Sequence, residues 1–220
     1  MKNIEILYED DFSIIVNKPA GLSVQGGKDV KSSLDRLLAE IRTPAPLLVH
    51  RLDKDTSGVL LAAKNRESAA NFSQILGGSM KCGHTKRKVV KIYIAVCKGQ
   101  PAQNEGIIDE ELNIKGEMKK SETRYKVLKT GKIEQAGCGY SVLEIELGTG
   151  RMHQIRRHLA MTGNPVLGDD KYGDFALNKI LYKTVKLKKL LLHASRLIIK
   201  EKFNIDVCAP LPEYFSLFTD

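Results

Sequence analysis

The sequence predicts an α+β protein built on a mixed, mainly antiparallel β-sheet flanked by helices. Segments with the alternating pattern of strands outnumber helical segments, and they follow one another through the middle of the chain. The regular exchange of strand and helix that a parallel, doubly wound sheet requires does not fit this pattern. The chain has 220 residues, of which 42% are hydrophobic and 28% are charged, and we expect one domain over residues 1–220.

The N-terminal part of the chain predicts a hairpin, two helices and a buried strand. In "IEILYEDDFSIIVNKPAGLSV" two β-rich runs flank Glu9-Asp10-Asp11, and Pro19 helps to end the second run. In "SSLDRLLAEIR" the apolar residues recur at helical spacing after Ser32 and Asp35, which fit a capped helix start. The elements expected in order are a hairpin over residues 4–24, a helix over 32–42, a strand over 58–64 and a helix over 67–76.

The remainder of the chain predicts further strands and one more helix. In "VKIYIAV" Ile92 and Ile94 share one face of a strand, and Tyr93 lies on the other. "RMHQIRRHLAMTG" has the pattern of a helix closed by Gly163, whereas "KTVKLKKL" is a basic run typical of a solvated face. The elements expected in order are strands over 90–96, 121–128 and 140–147, a helix over 151–163 and a strand over 190–200.

The charge of the chain favours a polyanionic partner. Its formal net charge is +9, and each Lys or Arg that neutralises a phosphate releases counterions. Many basic proteins bind no nucleic acid, and net charge carries no information about the fold. The charge is therefore consistent with nucleic-acid binding but does not establish it. No stretch reaches the roughly 20 apolar residues that span a bilayer, and the N-terminus lacks the apolar core of a signal peptide. We therefore expect a cytoplasmic protein that does not bind membranes.

The cysteines predict neither a zinc site nor a disulfide framework. They are scattered along the chain without a Cys-x-x-Cys pair, and we expect buried, reduced thiols. The four are Cys82, Cys97, Cys138 and Cys208.

The first candidate for chemistry is "HRLDKDTSG", in which five of nine side chains are ionisable although apolar runs flank the segment. In extended backbone Arg51 and Asp53 point to one side and Leu52 to the other. The turn-forming Thr56-Ser57-Gly58 follows, so the carboxylate of Asp53 is expected at a loop–strand junction. Taken alone, the pair Arg51 and Asp53 is more typical of a surface ion pair than of a catalytic site.

The second candidate is "GTGRMHQIRRH", which places arginines around a predicted helix start. Arg151, Arg156 and Arg157 have the planar, forked guanidinium group that suits phosphate and carboxylate recognition. A helix N-terminus favours anions as well. The alternative is a basic amphipathic helix without a special role. His153 and His158 are five residues apart, which is poor spacing for two metal ligands on one helical face, so no metal site is expected.

Tyr93 is the third candidate. It interrupts the aliphatic pattern of its strand, and an aromatic side chain that faces a cleft can stack on a nucleic-acid base. The alternative is an ordinary half-buried tyrosine. Glycine-rich phosphate loops, a Gly-x-Ser-x-Gly elbow and a His-Glu-x-x-His pair are all missing from the sequence, so nucleotide-driven and hydrolytic functions lack their usual signatures.

Taken together, these segments resemble the RluA-type pseudouridine synthases over nearly the whole chain and in the family's order. The matching blocks are "VNKPAGLSV", "VHRLDKDTSGVLLAAK", "KIYIAV", "SETRYKVL", "LEIELGTGRMHQIRRHLAMTGNPVLGDDKYG" and "LLLHASRL". Six blocks in order are far more specific than any one of them. The resemblance implies an enzyme that isomerises uridine to pseudouridine in rRNA or tRNA, with a mainly antiparallel sheet and a central RNA-binding cleft.

The resemblance also implies residue roles. Asp53 resembles the essential carboxylate, which acts either as nucleophile on the sugar or as base at the neighbouring ribose carbon. Arg151 resembles the arginine that pairs with that aspartate, and Tyr93 resembles the tyrosine that stacks on the target base. Arg51 resembles a residue that fills the gap left when the target nucleotide is flipped out of its stack.

Four further residues are assigned to the substrate by their places in the matching blocks. His50 and Thr56 are predicted to contact the RNA. Gln154 and Arg156 are predicted to contact the RNA or to support the residues that do.

The resemblance implies no cofactor and no metal, and we expect a monomer without an obligatory protein partner. Because "NKPAG" begins at residue 17, we expect no S4-type RNA-binding domain ahead of the catalytic domain. RNA affinity is then expected from the basic segments "KCGHTKRKVVK" and "YKTVKLKK". Met152 and the Ser23-Val24-Gln25 segment depart from the family's usual pattern.

Two other functions fit parts of the sequence. One is a catalytically silent RNA-binding or RNA-folding protein on the same scaffold, although such a protein would not need Asp53, Tyr93 and Arg151 together. The other is a hydrolase that uses Asp53 as a glycosidase carboxylate, which would require a second carboxylate in the site.

Overall fold

The computed structural model describes residues 4–27, 30–77, 88–200 and 202–219. The strands in chain order are β1 (Glu5–Glu9), β2 (Ser13–Lys18), β3 (Leu47–Leu48), β4 (Ser57–Ala63), β5 (Val89–Lys98), β6 (Glu105–Ile108), β7 (Leu112–Ile114), β8 (Glu117–Lys119), β9 (Thr123–Ile133), β10 (Cys138–Leu147), β11 (Leu192–Ile199) and β12 (Ile205–Cys208). The α-helices are α1 (Leu34–Ile41), α2 (Arg66–Gly77), α3 (Gln154–Met161), α4 (Phe175–Val185) and α5 (Ser216–Thr219).

The internal contacts divide the chain into two compact units. Unit 1 contains Met1–Lys91 and Ala194–Pro210, and unit 2 contains Ile92–His193 and Leu211–Asp220. Each unit is therefore built from two separate stretches of sequence. One catalytic domain over the whole chain stays a prediction.

Unit 1 is built on the strand order β1-β2-β4-β11, with β3 beside β4 and β12 beside β11. The predicted N-terminal hairpin is confirmed, since β1 and β2 pair antiparallel around the turn at Asp10. All seven residues of β4 are buried, as its uninterrupted apolar sequence predicts. Strand β2 is buried at every position except Asn17, and Lys18 at its end has no solvent exposure.

The core of unit 1 lies where α2 covers this sheet. Phe72 of α2 is fully buried among residues of β2, β4, β11 and β12, including Ile15, Leu61 and Ile199. Helix α1 buries Leu34 and Leu38, which are four residues apart and share one face. Its N-cap is Ser33 rather than the Ser32 expected from the sequence, and the Ser33 hydroxyl donates to the Asp35 carboxylate.

Unit 2 is built on the strand order β5-β10-β9-β6, and β7 and β8 form a separate hairpin. Strands β5 and β10 pair antiparallel with Tyr93 opposite Ile145, and β9 pairs with β10 along its whole length. The alternating segments predicted over 90–96, 121–128 and 140–147 correspond to these three strands. Leu143 and Ile145 of β10 are fully buried.

The helices of unit 2 differ from the sequence prediction in two ways. Helix α3 begins at Gln154 rather than at Arg151, because His153 adopts the left-handed conformation at φ 53° and forms the N-cap. Helix α4 was not predicted, since its lysine-rich end concealed the four-residue spacing of its buried leucines, Leu177 and Leu181. Asp174 caps α4 by accepting from the Leu177 backbone N–H at 2.9 Å.

The fold class is therefore confirmed as α+β with mainly antiparallel strand pairing. The cysteine prediction is only partly right: Cys97 is buried, but Cys138 is half-buried and Cys208 is exposed, and Cys82 lies outside the described residues. Among the helices of the described ranges, none is long and apolar enough to cross a membrane.

Candidate active site

The segment His50–Thr56 connects β3 to β4 in unit 1 and carries four of the predicted site residues. Arg51-Leu52-Asp53 belong to no helix or strand, and their predicted extended conformation stays a prediction. Leu52 is buried, Arg51 is exposed and Asp53 is half-buried, so the arginine and the carboxylate are accessible while the leucine anchors the segment. A turn follows, closed by the Thr56 backbone N–H, which donates to the Asp53 carbonyl oxygen at 3.2 Å.

The buried side chain of Lys18 holds this turn in place. Its buried ammonium group donates to three backbone carbonyl oxygens: those of Pro19 at 3.0 Å, Leu22 at 2.9 Å and Lys54 at 2.9 Å. The Lys54 oxygen also accepts from the Gly21 backbone N–H at 2.9 Å. The Lys54 carbonyl oxygen, between Asp53 and Asp55, thus accepts two hydrogen bonds, one from Lys18 and one from Gly21 in the Pro19–Leu22 loop.

The Lys18 ammonium also brings a buried positive charge to the segment that carries Asp53. Burial lowers the pKa of Lys18 from 10.5 to about 8, and the negative charges of Asp55 and Asp53 oppose this lowering. Lys18 is still mostly protonated at neutral pH, because its pKa of about 8 lies above 7. Lys18 lies within "VNKPAGLSV" but was not among the predicted site residues; the signal for it in the sequence is a lysine at the end of a largely apolar strand.

His50 completes the hydrogen bonding of β4. Strand β3 ends at Leu48, and the His50 Nε2 atom then accepts from the Leu61 backbone N–H at 2.9 Å, as a strand carbonyl would. Burial, aided by the nearby charge of Lys91, lowers the pKa of His50 to about 3. The imidazole is therefore neutral, with its proton on Nδ1, and this placement favours a positioning role over the predicted contact with RNA.

Gly58 sets the start of β4. Its φ is +111°, and a Cβ atom there would lie 2.1 Å from the carbonyl oxygen of Ala194 in β11. Glycine is therefore required both by backbone conformation and by space. Thr56 and Ser57, just before it, are each only 2% exposed. The position of Thr56 therefore favours structural support over the predicted contact with RNA.

Tyr93 belongs to unit 2, where it lies in β5 opposite Ile145 of β10. The side chain is 9% exposed. Its neighbours Ile94 and Ala95 are buried as well, so both faces of this part of the strand are covered. The strand and the register place Tyr93 rigidly, which a role in orienting a base requires.

Arg151 lies in the turn that precedes α3 and is half-buried. Gln154 holds this turn: its Oε1 accepts from the Arg151 backbone N–H at 3.0 Å and from the Thr149 hydroxyl at 2.7 Å. Its Nε2 donates to the Glu122 carbonyl oxygen at 2.9 Å and to the Thr123 hydroxyl at 3.0 Å. Gln154 is 3% exposed, so its amide is committed to positioning the turn of Arg151.

Arg156 is committed in a similar way. Its guanidinium group makes two hydrogen bonds of 2.7 Å to the carboxylate of Asp169, and both residues are buried. The guanidinium also lies 5.3 Å from the ring centroid of Tyr172, whose hydroxyl is 3.0 Å from the His153 Nδ1 atom. Of the two predicted roles for Gln154 and Arg156, this geometry favours support. Asp169 was not singled out from the sequence.

Most of the predicted site residues fall into two groups, one in each unit. Unit 1 brings His50, Arg51, Asp53 and Thr56 into one segment, and unit 2 brings Arg151, Gln154 and Arg156 to the start of α3. Tyr93 belongs to unit 2 but lies on a separate element, β5.

Comparison with known proteins identifies the class of protein as an RNA-modifying isomerase. The sequence model described as RNA pseudouridylate synthase matches residues 12–161. The chain belongs to this family of RNA pseudouridine synthases, and the resemblance to the RluA type is confirmed.

Named relatives agree with this assignment. The chain is 36% identical to the ribosomal large subunit pseudouridine synthase C of Rickettsia typhi, covering 96% of this chain and 69% of that protein. It is 34% identical to the protein of the same name from Vibrio parahaemolyticus, covering 94% of this chain and 65% of that one. Human RNA pseudouridylate synthase domain containing 1 has a similar structure, with a TM-score of 0.76 and 26% identity over 99% of this chain and 87% of that one.

Proposed function

We propose that this protein converts a uridine of large-subunit ribosomal RNA to pseudouridine, with Asp53 as the essential carboxylate. Two observations support the choice of RNA: the net charge of +9 and the relatives named ribosomal large subunit pseudouridine synthase C. The placement of Asp53 carries the mechanistic part of the proposal. It is a half-buried carboxylate in a segment whose turn is fixed by Lys18 and Thr56.

The reaction is an isomerisation in which the bond from C1′ of the ribose to N1 of uracil breaks and a bond from C1′ to C5 forms. The proton on C5 is lost, N1 gains a proton, and no atom is gained or lost overall. Asp53 acts either as nucleophile at C1′ or as base at the neighbouring ribose carbon, and both roles require the ionised carboxylate. We assign Tyr93 to orienting the detached uracil and Arg151 to favouring the charged carboxylate, by their places in the family's motifs.

Arg51 has a separate role in this proposal. The glycosidic bond of a stacked nucleotide is inaccessible, so the target must be flipped out of its stack. Arg51 is exposed and lies two residues before Asp53 in the same segment. A long cationic side chain at this position is suited to occupy the gap that the flipped base leaves.

The variant Asp53→Asn tests the mechanism. We expect it to abolish conversion of uridine to pseudouridine in a large-subunit rRNA transcript while RNA affinity stays nearly unchanged, because only the charge is removed. Asp55→Asn is the matched control, since the same change is made two residues away in the same turn. Full activity of Asp53→Asn would refute the role of Asp53. An inactive wild-type protein that still binds RNA would instead favour a silent RNA-binding protein.

The variant Arg51→Ala tests the gap-filling role. We expect turnover to fall more on a structured RNA hairpin than on a flexible single strand, because only the hairpin has a stack to restore. Equal losses on the two substrates would contradict this role.

A further inference from the structure

The outer surface of α4 and the segment that follows it is basic and aromatic. Phe175, Lys179, Tyr182 and Lys183 are spaced so that they share one side of the helix, and Lys186 follows as the C-cap residue at its end. Phe175 is 62% exposed and Tyr182 is 50% exposed. We call these five residues, together with Lys188, the α4 surface.

Packing of the helix does not require these exposed rings. The opposite side of α4 carries Leu177 and Leu181, which are 5% and 0% exposed and attach the helix to unit 2. Large aromatic side chains grouped on a solvent-exposed face are unusual unless that face binds a partner. The Lys188 ammonium lies 5.4 Å from the ring centroid of Tyr182, so charge and aromatic surface are in direct contact.

Among the residues that the structure describes, no carboxylate forms an ion pair with a lysine of the α4 surface. In the described part of the chain, none of Lys179, Lys183, Lys186 and Lys188 lies within 4.0 Å of a carboxylate oxygen. The carboxylate of Asp174, at the start of the helix, is already bound to the Lys98 ammonium at 2.7 Å and to the Leu177 backbone N–H. The positive charge of this surface is therefore available to an external anion.

We propose that the α4 surface binds nucleotides of the substrate RNA other than the reacting uridine, an inference that rests on the proposed function. The lysines contact backbone phosphates, and Phe175 and Tyr182 stack on unpaired bases. Exposed aromatic rings interleaved with cations are the usual means of holding single-stranded RNA without reading its sequence. The surface would supply affinity and orientation, and the choice of uridine would be made elsewhere.

The double variant Lys179→Gln/Lys183→Gln tests the charge contribution. The measurement is fluorescence anisotropy with a labelled RNA hairpin that has single-stranded flanks, at several salt concentrations. We expect weaker binding and a slope of log K against log salt that is smaller by about 1.4–1.8, since each lost phosphate contact removes about 0.7–0.9. The control is Lys126→Gln/Lys132→Gln, which changes two exposed lysines of β9 and lowers the net charge equally. An equal change of slope in both double variants would overturn the proposal.

The variant Tyr182→Leu tests stacking. We expect RNA affinity to fall about fivefold or more with the salt slope unchanged, because a stacked base contributes about 1–3 kcal/mol without counterion release. Unchanged affinity would overturn the stacking part of the proposal. Phosphatidylglycerol vesicles provide the competing anionic surface, and lysine variants that lose vesicle binding but keep RNA binding would show that the surface serves a membrane.

Activity separates failure of this inference from failure of the proposed function. If the proposed function is right and the α4 surface binds RNA, Lys179→Gln/Lys183→Gln raises KM on a large-subunit rRNA transcript and leaves kcat unchanged. If the α4 proposal alone is wrong, the wild-type protein is active and the double variant has the same KM. If the proposed function is wrong, the wild-type protein makes no pseudouridine, whereas the anisotropy measurement still reports on binding.

Discussion

Replacing Lys18 by methionine tests whether its buried ammonium group holds the segment of Asp53 in place. Methionine keeps most of the volume of the side chain but has no N–H donors. The carbonyl oxygens of Pro19 and Leu22 then lose their bonds to Lys18, whereas the Lys54 oxygen keeps the Gly21 backbone N–H. The turn after Asp53 is therefore weakened, and the Pro19–Leu22 loop loses its anchor.

The size of the effect follows from two opposing contributions. The Leu22 carbonyl is a buried acceptor, and losing its donor costs about 1–3 kcal/mol, whereas Pro19 is exposed and its carbonyl can accept from water instead. Against this, the pKa of Lys18 is lowered from 10.5 to about 8. Keeping the buried ammonium group charged at neutral pH therefore destabilises the folded state by roughly 3 kcal/mol. Methionine removes this cost, so the two contributions nearly cancel, and we expect the free energy of unfolding at neutral pH to change by less than about 2 kcal/mol.

Urea unfolding over a range of pH gives the sharpest test. Because the folded pKa is lower than the unfolded pKa, the unfolded state binds more protons between the two values, and stability rises with pH there. The wild-type protein should thus gain up to roughly 3 kcal/mol relative to Lys18→Met between about pH 8 and about pH 10.5. Lys54→Met, which makes the same change at an exposed lysine of the same turn, is the matched control. A stability difference between wild type and Lys18→Met that is constant over this range would refute the reasoning.

Two further predictions concern His50 and Gly58. The pKa of His50 in the folded state is lowered to about 3. As the pH falls below about 6.5, the unfolded state therefore binds a proton at His50 while the folded state does not. The free energy of unfolding then decreases by up to about 1.4 kcal/mol per pH unit. His50→Gln should keep an acceptor for the Leu61 N–H and flatten this dependence, and an unchanged slope in thermal unfolding would contradict the assignment. Gly58→Ala should destabilise by more than about 3 kcal/mol, because its Cβ would meet the Ala194 oxygen at 2.1 Å; a soluble variant with wild-type Tm would show that the two strands separate at low cost.

Much of the fold followed from local pattern. The hairpin of β1 and β2, the buried β4 and the alternating strands β9 and β10 are visible in the sequence because one face of each is apolar or because the whole run is. Helix α4 was missed because two buried leucines among lysines give a weak amphipathic signal. The start of α3 was misplaced because a non-glycine residue, His153, takes a left-handed conformation that sequence patterns do not reveal.

The candidate site was predictable to a similar degree. The sequence predicted Arg51 and Asp53 on one side of a segment and Leu52 on the other, and in the structure Leu52 is buried while Arg51 is exposed and Asp53 is half-buried. It did not predict that Gln154 and Arg156 would be buried and committed to neighbouring groups, because their partners Glu122 and Asp169 are distant in the chain. Residue type alone does not distinguish an arginine that contacts phosphate from one that binds a buried carboxylate.

The sequence by itself determined the family, the order of the chemical blocks and the strands that carry them, since these depend on short motifs and on periodicity within a few residues. Only the tertiary structure showed that Lys18 binds the Lys54 carbonyl, that His50 serves as a strand acceptor for Leu61 and that Gly58 lies against Ala194. Each of these contacts joins a side chain or a Cα atom to the backbone of a residue elsewhere in the chain. Backbone groups are the same at every position, so such contacts leave no mark on the sequence of the partner.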